Sequence, residues 1–206
     1  MVKTESPARI GRPRDPGKDE AVLLAARTLL AEVGYQQTTI SAIARTAGVN
    51  TPAIYRRWSS REALIEEAVH GPGGHPLPRS TGDLRVDLTT WVHIFLVRAA
   101  RPAARAGVPG LLADSRTVEA RQRLLAIGAP VRAAFQDLLD DAVGRGEIPA
   151  GADAMFLFDL LAGTTTMQGL TRGLEGQDRF VDALARSLYV LAAHPADAVG
   201  TEAVGQ

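Results

Sequence analysis

Apolar residues recur along this chain at the three- and four-residue spacing of α-helices, and this periodicity constrains the fold more than any other feature. The two strongest stripes run from Leu84 to Ala99 and from Leu124 to Ala142. Another, over residues 18–33, is followed by Gly34, which can adopt the left-handed conformation that ends a helix. Alternation of period two, typical of half-buried strands, does not occur. The sequence therefore predicts an all-α fold.

Turn-forming residues divide these helices into two predicted domains. Residues 1–17 are rich in Pro, Gly and Arg and have no apolar period, so we expect a flexible basic arm. Short helices over 18–70 end at a Gly-Pro-Gly-Gly sequence. A larger helical domain is expected over 80–195, followed by a disordered tail at 196–206.

Charge is distributed unevenly although the formal net charge is zero. Residues 1–61 contain 10 Lys and Arg against 5 Asp and Glu, whereas the remainder contains 13 against 18. A basic end on a neutral protein indicates that a small N-terminal module meets phosphate.

Several classes of function are disfavoured by what the sequence lacks. No cysteine is present, which excludes disulfides, thiolate metal sites and a cysteine nucleophile. No Gly-x-Ser-x-Gly elbow, phosphate-cradling glycine loop or pair of histidines four residues apart occurs. We therefore expect no enzymatic activity, cofactor or metal. Without a signal sequence or an apolar run of about 18 residues, we expect a cytoplasmic protein with no membrane partner.

The region from Thr38 to Arg61 predicts a helix-turn-helix. Thr38 or Thr39 can cap a short helix that ends at Gly48, and Gly48-Val49 supplies the sharp turn. Asn50 then caps a second helix over about 51–57. Ser59 with Glu62 forms a capping-box pattern that begins a further helix ending near His70.

These residues resemble the TetR family of bacterial repressors. The resemblance covers about residues 18–69 and rests on spacings that are all kept, in the segments Gly34-Tyr35, Thr38–Ala44, Ala47–Asn50, Ile54–Trp58 and Arg61–Leu64. It implies a homodimer that binds palindromic operator DNA and releases it when a small molecule occupies the C-terminal domain.

The candidate DNA-binding residues follow from the motif and from the resemblance. The first turn of the second helix enters the major groove of such modules, which assigns base-edge positions to Asn50, Thr51, Pro52 and Ala53. The resemblance assigns phosphate contacts to a second set, in which Arg56 could instead reach a guanine: Thr39, Ser41, Tyr55, Arg56, Arg57 and Arg61.

Two further positions in this half allow two interpretations each. Arg12 and Arg14 could enter a narrow minor groove, or they could belong to a disordered basic tail that adds non-specific affinity. Trp58 could stack on a base, but the family places an aromatic residue here in the core, and we prefer that assignment.

The C-terminal stripes predict a ligand pocket and a dimer interface. Large side chains expected to line the pocket, although each could equally belong to the core, are Trp91, Phe95, Phe135, Phe156 and Met167. Candidate polar partners are His93, Gln136, Thr164, Thr165 and Gln168. The resemblance implies that helices over 155–170 and 179–194 pair with their twins, and Phe180, Leu184, Leu188 and Leu191 form an apolar seam. One short helix is expected over 111–116.

The function predicted is that of a dimeric repressor released by a ligand that the sequence does not identify. Ligand binding would move the helix ending near His70, with Leu64 and Ala68 facing the DNA module and Glu66 and Glu67 facing away. The alternative is a ligand-independent activator or an architectural DNA-binding protein.

Overall fold

The computed structural model describes residues 16–71 and 77–195, and within those ranges it is entirely helical, as the periodicity predicted. Both the basic arm with Arg12 and Arg14 and the tail at 196–206 lie outside the described residues, apart from residues 16 and 17. No helix in the described ranges is long and apolar enough to cross a membrane. The helices are α1 (Pro16–Gln37), α2 (Ile40–Ala47), α3 (Thr51–Tyr55), α4 (Arg61–His70), α5 (Leu84–Ala99), α6 (Pro102–Asp114), α7 (Val118–Gly144), α8 (Ala154–Thr171) and α9 (Gln177–Ala193).

Helices α1 to α4 form the N-terminal module around one apolar core. Helix α1 begins two residues before the predicted position because proline is tolerated in a first helical turn. Gly34 interrupts it with a φ of 78°, after which one more turn continues to Gln37. Trp58 is 5% exposed within this core, so its assignment to packing is confirmed.

The helix-turn-helix agrees closely with the prediction. Thr39 caps α2, Gly48 ends it in the left-handed conformation with a φ of 65°, and Asn50 caps α3. Helix α3 ends at Tyr55, two residues earlier than expected, because the Ile54 carbonyl accepts hydrogen bonds from the next two amides after Arg56. The predicted cap at Ser59 is wrong, since the neighbouring Ser60 accepts from the first turn of α4.

Helix α6 is the largest departure from the predicted elements. A helix over 111–116 was expected in a loop broken by Gly and Pro, but α6 covers thirteen residues and contains Pro109. Pro102 occupies the tolerated first turn, and Pro109 lies exposed while Gly107 and Leu111 are buried. Burial against the N-terminal module therefore outweighs the weak helix propensity of this segment.

Helices α5, α7, α8 and α9 form the second core, which centres on four aromatic rings. Trp91 contacts Phe135 edge-on at 5.2 Å between centroids, and Phe158 contacts both Phe95 and Phe135 edge-on at 5.7 Å. Edge-to-face packing of this kind stabilises beyond the area that it buries, by about 0.5–1.5 kcal/mol a pair.

Helix α8, predicted to be apolar nearly all round, divides its surface among three environments. One stripe is buried in the core, and it consists of Leu157, Leu161, Thr165 and Gly169. Another is exposed and includes Met155, Phe156, Gly163 and Met167. The third, which lies beside a cavity, consists of Phe158, Ala162, Thr166 and Leu170.

Candidate DNA interface and effector cavity

The predicted reading surface at the start of α3 is accessible. Asn50 and Pro52 are exposed, and Thr51 and Ala53 are half-buried beside them. The side-chain oxygen of Asn50 accepts from the Ala53 amide at 2.9 Å, which leaves its amide nitrogen as the group able to donate to a base. A small surface of this kind suits methyl and shape recognition.

Polar groups surround this surface on two sides. Thr39 and Ser41 are exposed on α2, and Tyr55 and Arg56 are exposed at the end of α3. Thr39 accepts a hydrogen bond from the first turn of α2, and its hydroxyl can still donate one. These positions are compatible with the phosphate contacts expected from the sequence.

Arg61 occupies a different position from the one that its predicted role requires. Its guanidinium donates hydrogen bonds to the backbone carbonyls of Tyr35 and Thr38, the latter at 2.8 Å, and lies 4.2 Å from the centre of the Tyr35 ring. The side chain thereby holds the turn between α1 and α2. This placement favours a structural role for Arg61 over the predicted phosphate contact.

Arg57 is also engaged within the protein. It forms an ion pair with Asp19 near the start of α1. A phosphate contact by Arg57 would have to compete with this carboxylate. Of the three arginines assigned to DNA in this module, Arg56 is the one without an ion pair among the described residues.

An apolar cavity of about 270 Å³ lies between the two domains. Its walls come from the ends of α4 and α5, the start of α6 and the middle parts of α7 and α8. Phe95, Val131 and Phe158 supply apolar surface, and Arg98 and Thr166 supply polar groups. The volume is near the lower end of the range of about 300–1,000 Å³ that is typical of small-molecule sites.

The predicted set of pocket residues requires correction. Phe95 lines the cavity, but Trp91 and Phe135 are buried behind it in the core. Phe156 and Met167 are 56% and 64% exposed on the outer face of α8. A helix that is apolar all round carries no moment, so its sequence did not show which stripe faced inward.

The polar partners predicted for a ligand also lie elsewhere. His93 and Gln136 are exposed, and Gln168 donates a hydrogen bond to a backbone carbonyl after α8. Thr165 is buried and donates to carbonyls of its own helix. Thr164 is half-buried and does not line the cavity either, whereas Thr166 does.

Helix α6 connects the cavity to the DNA module. Ala104 and Val108 face the cavity, whereas Gly107 packs so closely on α4 that an added Cβ would lie 2.8 Å from Val69. At the other end of α6, the Tyr35 hydroxyl donates a 2.6 Å hydrogen bond to Asp114. Movement of α6 would therefore be transmitted to α1 and α4.

Helix α4 is held on the two faces that the sequence assigned to solvent. Glu66 is 3% exposed and lies 3.6 Å from the Nε of Arg123 on α7. Glu67 accepts a 2.7 Å hydrogen bond from the Trp58 indole. The expectation that both carboxylates face away is wrong, because each has a cationic or N–H partner that offsets its desolvation.

Comparison with protein families decides the relationship of this chain. The family model described as "Tetracyclin repressor-like, C-terminal domain" matches residues 78–188, which is more than half of the chain. The model described as "Bacterial regulatory proteins, tetR family" matches residues 22–68. The chain belongs to the TetR family. The resemblance identified from the helix-turn-helix is confirmed, and the protein is a DNA-binding transcriptional regulator, a class whose members are not enzymes.

Individual TetR-family proteins resemble the chain over most of its length. YdeS of Bacillus subtilis, named as an uncharacterized HTH-type transcriptional regulator, is 28% identical over 184 residues, covering 87% of this chain and 91% of its own. The DNA-binding transcriptional repressor TetR of Mycobacteroides abscessus is 29% identical over 188 residues, covering 88% and 97%. The crystal structure of the TetR-family regulator SCO0332 has a TM-score of 0.66 and 28% identity, covering 84% and 97%.

The cavity residues that sequence reasoning missed share one signal. Arg98 and Arg101 stand three residues apart where the apolar stripe of α5 ends, immediately before a proline that begins a new helix. Two cations at the end of an apolar stripe, next to a helix N-terminus, could have marked a polar end of the pocket of this TetR-family regulator.

Proposed function

We propose that this regulator is a homodimeric repressor that binds a palindromic operator and releases it when a small molecule occupies the cavity. The observation that carries this proposal is that one pair of helices, α4 and α6, both lines the cavity and packs on the helix-turn-helix module. Because interiors are close-packed, a ligand that displaces these helices also displaces the module.

Operator contacts are assigned to exposed groups on α2 and α3. The first turn of α3 reads bases through Asn50 and the small surface Thr51–Ala53, while Thr39, Ser41, Tyr55 and Arg56 contact phosphates. Arg57 contributes only if it leaves its ion pair with Asp19. We retain the minor groove as the proposed site of Arg12 and Arg14.

The dimer interface is assigned to the exposed faces of α8 and α9. Apart from Leu191, which is 40% exposed, the predicted seam does not face a partner, because Leu184 and Leu188 are buried within their own protomer. Met155, Phe156 and Met167 on α8 are more than half exposed, and Val190 on α9 is 49% exposed. Such a concentration of large apolar groups indicates a protein interface.

Release follows from the geometry of two recognition helices in successive major grooves. The half-sites of such dimers lie about 34–36 Å apart, so a small change in the separation of the two modules disrupts binding. A coupling free energy of about 1–3 kcal/mol is typical of such effects. The separation would change through α4, which carries the cavity wall at Val69 and His70.

Sedimentation of a variant tests the assigned interface. Met167→Glu places a charge on the exposed face of α8, and we expect a monomer at concentrations where the unmodified protein is a dimer. Leu112→Glu is the matched control, since Leu112 is a 60% exposed apolar residue on α6. A dimer in both variants would contradict the assignment.

The salt dependence of operator binding tests the assigned phosphate contacts. Arg56→Ala should reduce the slope of log affinity against log salt by about one, because a phosphate contact releases counterions. Arg61→Ala should weaken binding with an unchanged slope, since its loss loosens the turn between α1 and α2. The opposite pattern would return Arg61 to the interface.

A further inference from the structure

The cavity carries positive charge at one end and has no acidic residue to balance it. Arg98 and Arg101 both line it, and no Asp or Glu is among its lining residues within the described ranges. Neither arginine forms an ion pair with a described residue. The segment 72–76, which joins two lining residues, contains no acidic residue in its sequence. A counter-ion for this end of the cavity must therefore come from outside the chain.

The two arginines are held in place rather than free in solvent. Arg98 is half-buried beside the Phe95 ring, and the backbone that follows it is pressed against α8. An added Cβ at Gly169 would lie 2.7 Å from the carbonyl carbon of Ala99, so this backbone has no room to move toward α8. Burial, and secondarily the charge of Arg101, lowers the pKa of the Arg98 guanidinium. Both effects disfavour the charge of Arg98, and an anion would offset them.

The start of α6 adds to the same field. Arg101 is its N-cap and provides no side-chain acceptor for the first amides of the helix, while Ala104 in the first turn lines the cavity. The N-terminal end of a helix carries partial positive charge and unsatisfied N–H groups. This end of the cavity therefore presents two guanidinium groups and a helix N-terminus.

The rest of the lining is apolar. The rings of Phe95 and Phe158 and the aliphatic groups of Leu77, Val131 and Leu170 account for most of the remaining surface. We propose that the effector is a compact amphipathic anion, with a hydrocarbon body among these side chains and a carboxylate or phosphate bound by Arg98 and Arg101. This inference deepens the proposed repressor function and rests on it for the word effector, while the binding site itself does not.

The location of the charge suggests how such a ligand would act. Arg101 lies at the junction between α5 and α6, and α6 packs on the DNA module through Gly107 and Tyr35. An anion held between Arg98 and Arg101 would fix the start of α6 relative to α5. Binding energy is thereby applied to the helix that contacts both domains.

Calorimetric titration of the full-length protein, without DNA, tests the site. The probes are straight-chain carboxylates from hexanoate to dodecanoate, the alkyl phosphates of the same lengths, and the neutral primary amides of the acids. We expect at least one acid to bind about tenfold more tightly than its amide, because hydrogen bonds to charged groups are the stronger ones. The phosphate series then shows which oxyanion the site prefers.

Variants assign the preference to the arginines. Arg98→Gln should remove the advantage of the acid and leave amide binding near its original strength, and Arg98→Lys should restore part of it. Arg105→Gln, at an exposed arginine of α6 that does not line the cavity, should keep the full preference. Thermal melts establish that each variant is folded.

Two results would overturn the inference: no acid of either series binds more tightly than its amide, or the preference persists in the Arg98→Gln, Arg101→Gln double variant. Operator release is measured separately by fluorescence anisotropy. Failure to bind any operator would refute the proposed repressor function and leave the titration result standing.

Discussion

The hydrogen bond between Tyr35 and Asp114 links the DNA module to α6, and its removal provides a quantitative test of that link. Tyr35→Phe keeps the ring, which is 7% exposed and lies against Arg61, and deletes only the hydroxyl. Hydrogen bonds to charged groups contribute about 1.5–3 kcal/mol. Asp114 is exposed and can be solvated again, so we take the lower end, about 1.5 kcal/mol.

The assay is thermal unfolding at fixed protein concentration. For a chain of this length, about 1.5 kcal/mol corresponds to a decrease of roughly 3–6 °C in Tm. Tyr55→Phe is the control, because Tyr55 is 55% exposed and its removal of a hydroxyl should leave Tm unchanged. A Tm for Tyr35→Phe equal to that of the unmodified protein would refute the reasoning.

The same pair should show a dependence on pH. Burial, followed by the hydrogen bond to Asp114, raises the pKa of Tyr35 above its usual value of about 10. A raised pKa in the folded state means that the stabilisation is complete below about pH 10 and is lost as pH rises further. The difference in Tm between the unmodified protein and Tyr35→Phe should therefore narrow above that pH.

Three other substitutions test separate parts of the structure by thermal unfolding. Burial raises the pKa of Glu66, against the opposing charge of Arg123, so its ionised form is disfavoured on folding; Glu66→Gln should raise Tm at neutral pH, and a gain that failed to shrink toward pH 4 would contradict this. Gly169→Ala drives a methyl group into the backbone of α5 and should lower Tm, whereas Gly144→Ala meets no atom within 4 Å and should not. Asp83 caps α5 by accepting from two of its amides, and Asp83→Ala should cost about 1 kcal/mol, or about 2–4 °C; an unchanged Tm would show that the cap is dispensable.

The helix-turn-helix could be predicted from sequence because its signals are local. A cap such as Thr39 or a left-handed glycine such as Gly48 is recognised from two or three neighbouring residues. Helix α6 could not, because packing against the other domain stabilises it despite its Gly and Pro content. Its closest contacts, at Gly107 and Gly110, involve residues of α4 and α1 that are far away in sequence.

The functional side chains were predictable in type but not in direction. Arg61 was correctly singled out, yet its guanidinium points toward carbonyls of the preceding turn rather than outward. Phe156 and Phe158 are equally apolar, and only the packing of α8 places one outside and the other beside the cavity. Sequence periodicity locates a helix face only where a polar face contrasts with it.

Selection of bound sequences from a random DNA pool by the full-length protein tests the central claim most directly. A symmetric dimer that inserts two α3 helices into successive major grooves predicts an enriched site with two-fold symmetry and half-site centres about 34–36 Å apart. Binding that enriches no sequence, as expected of an architectural protein, or that enriches a site without two-fold symmetry, would contradict the claim.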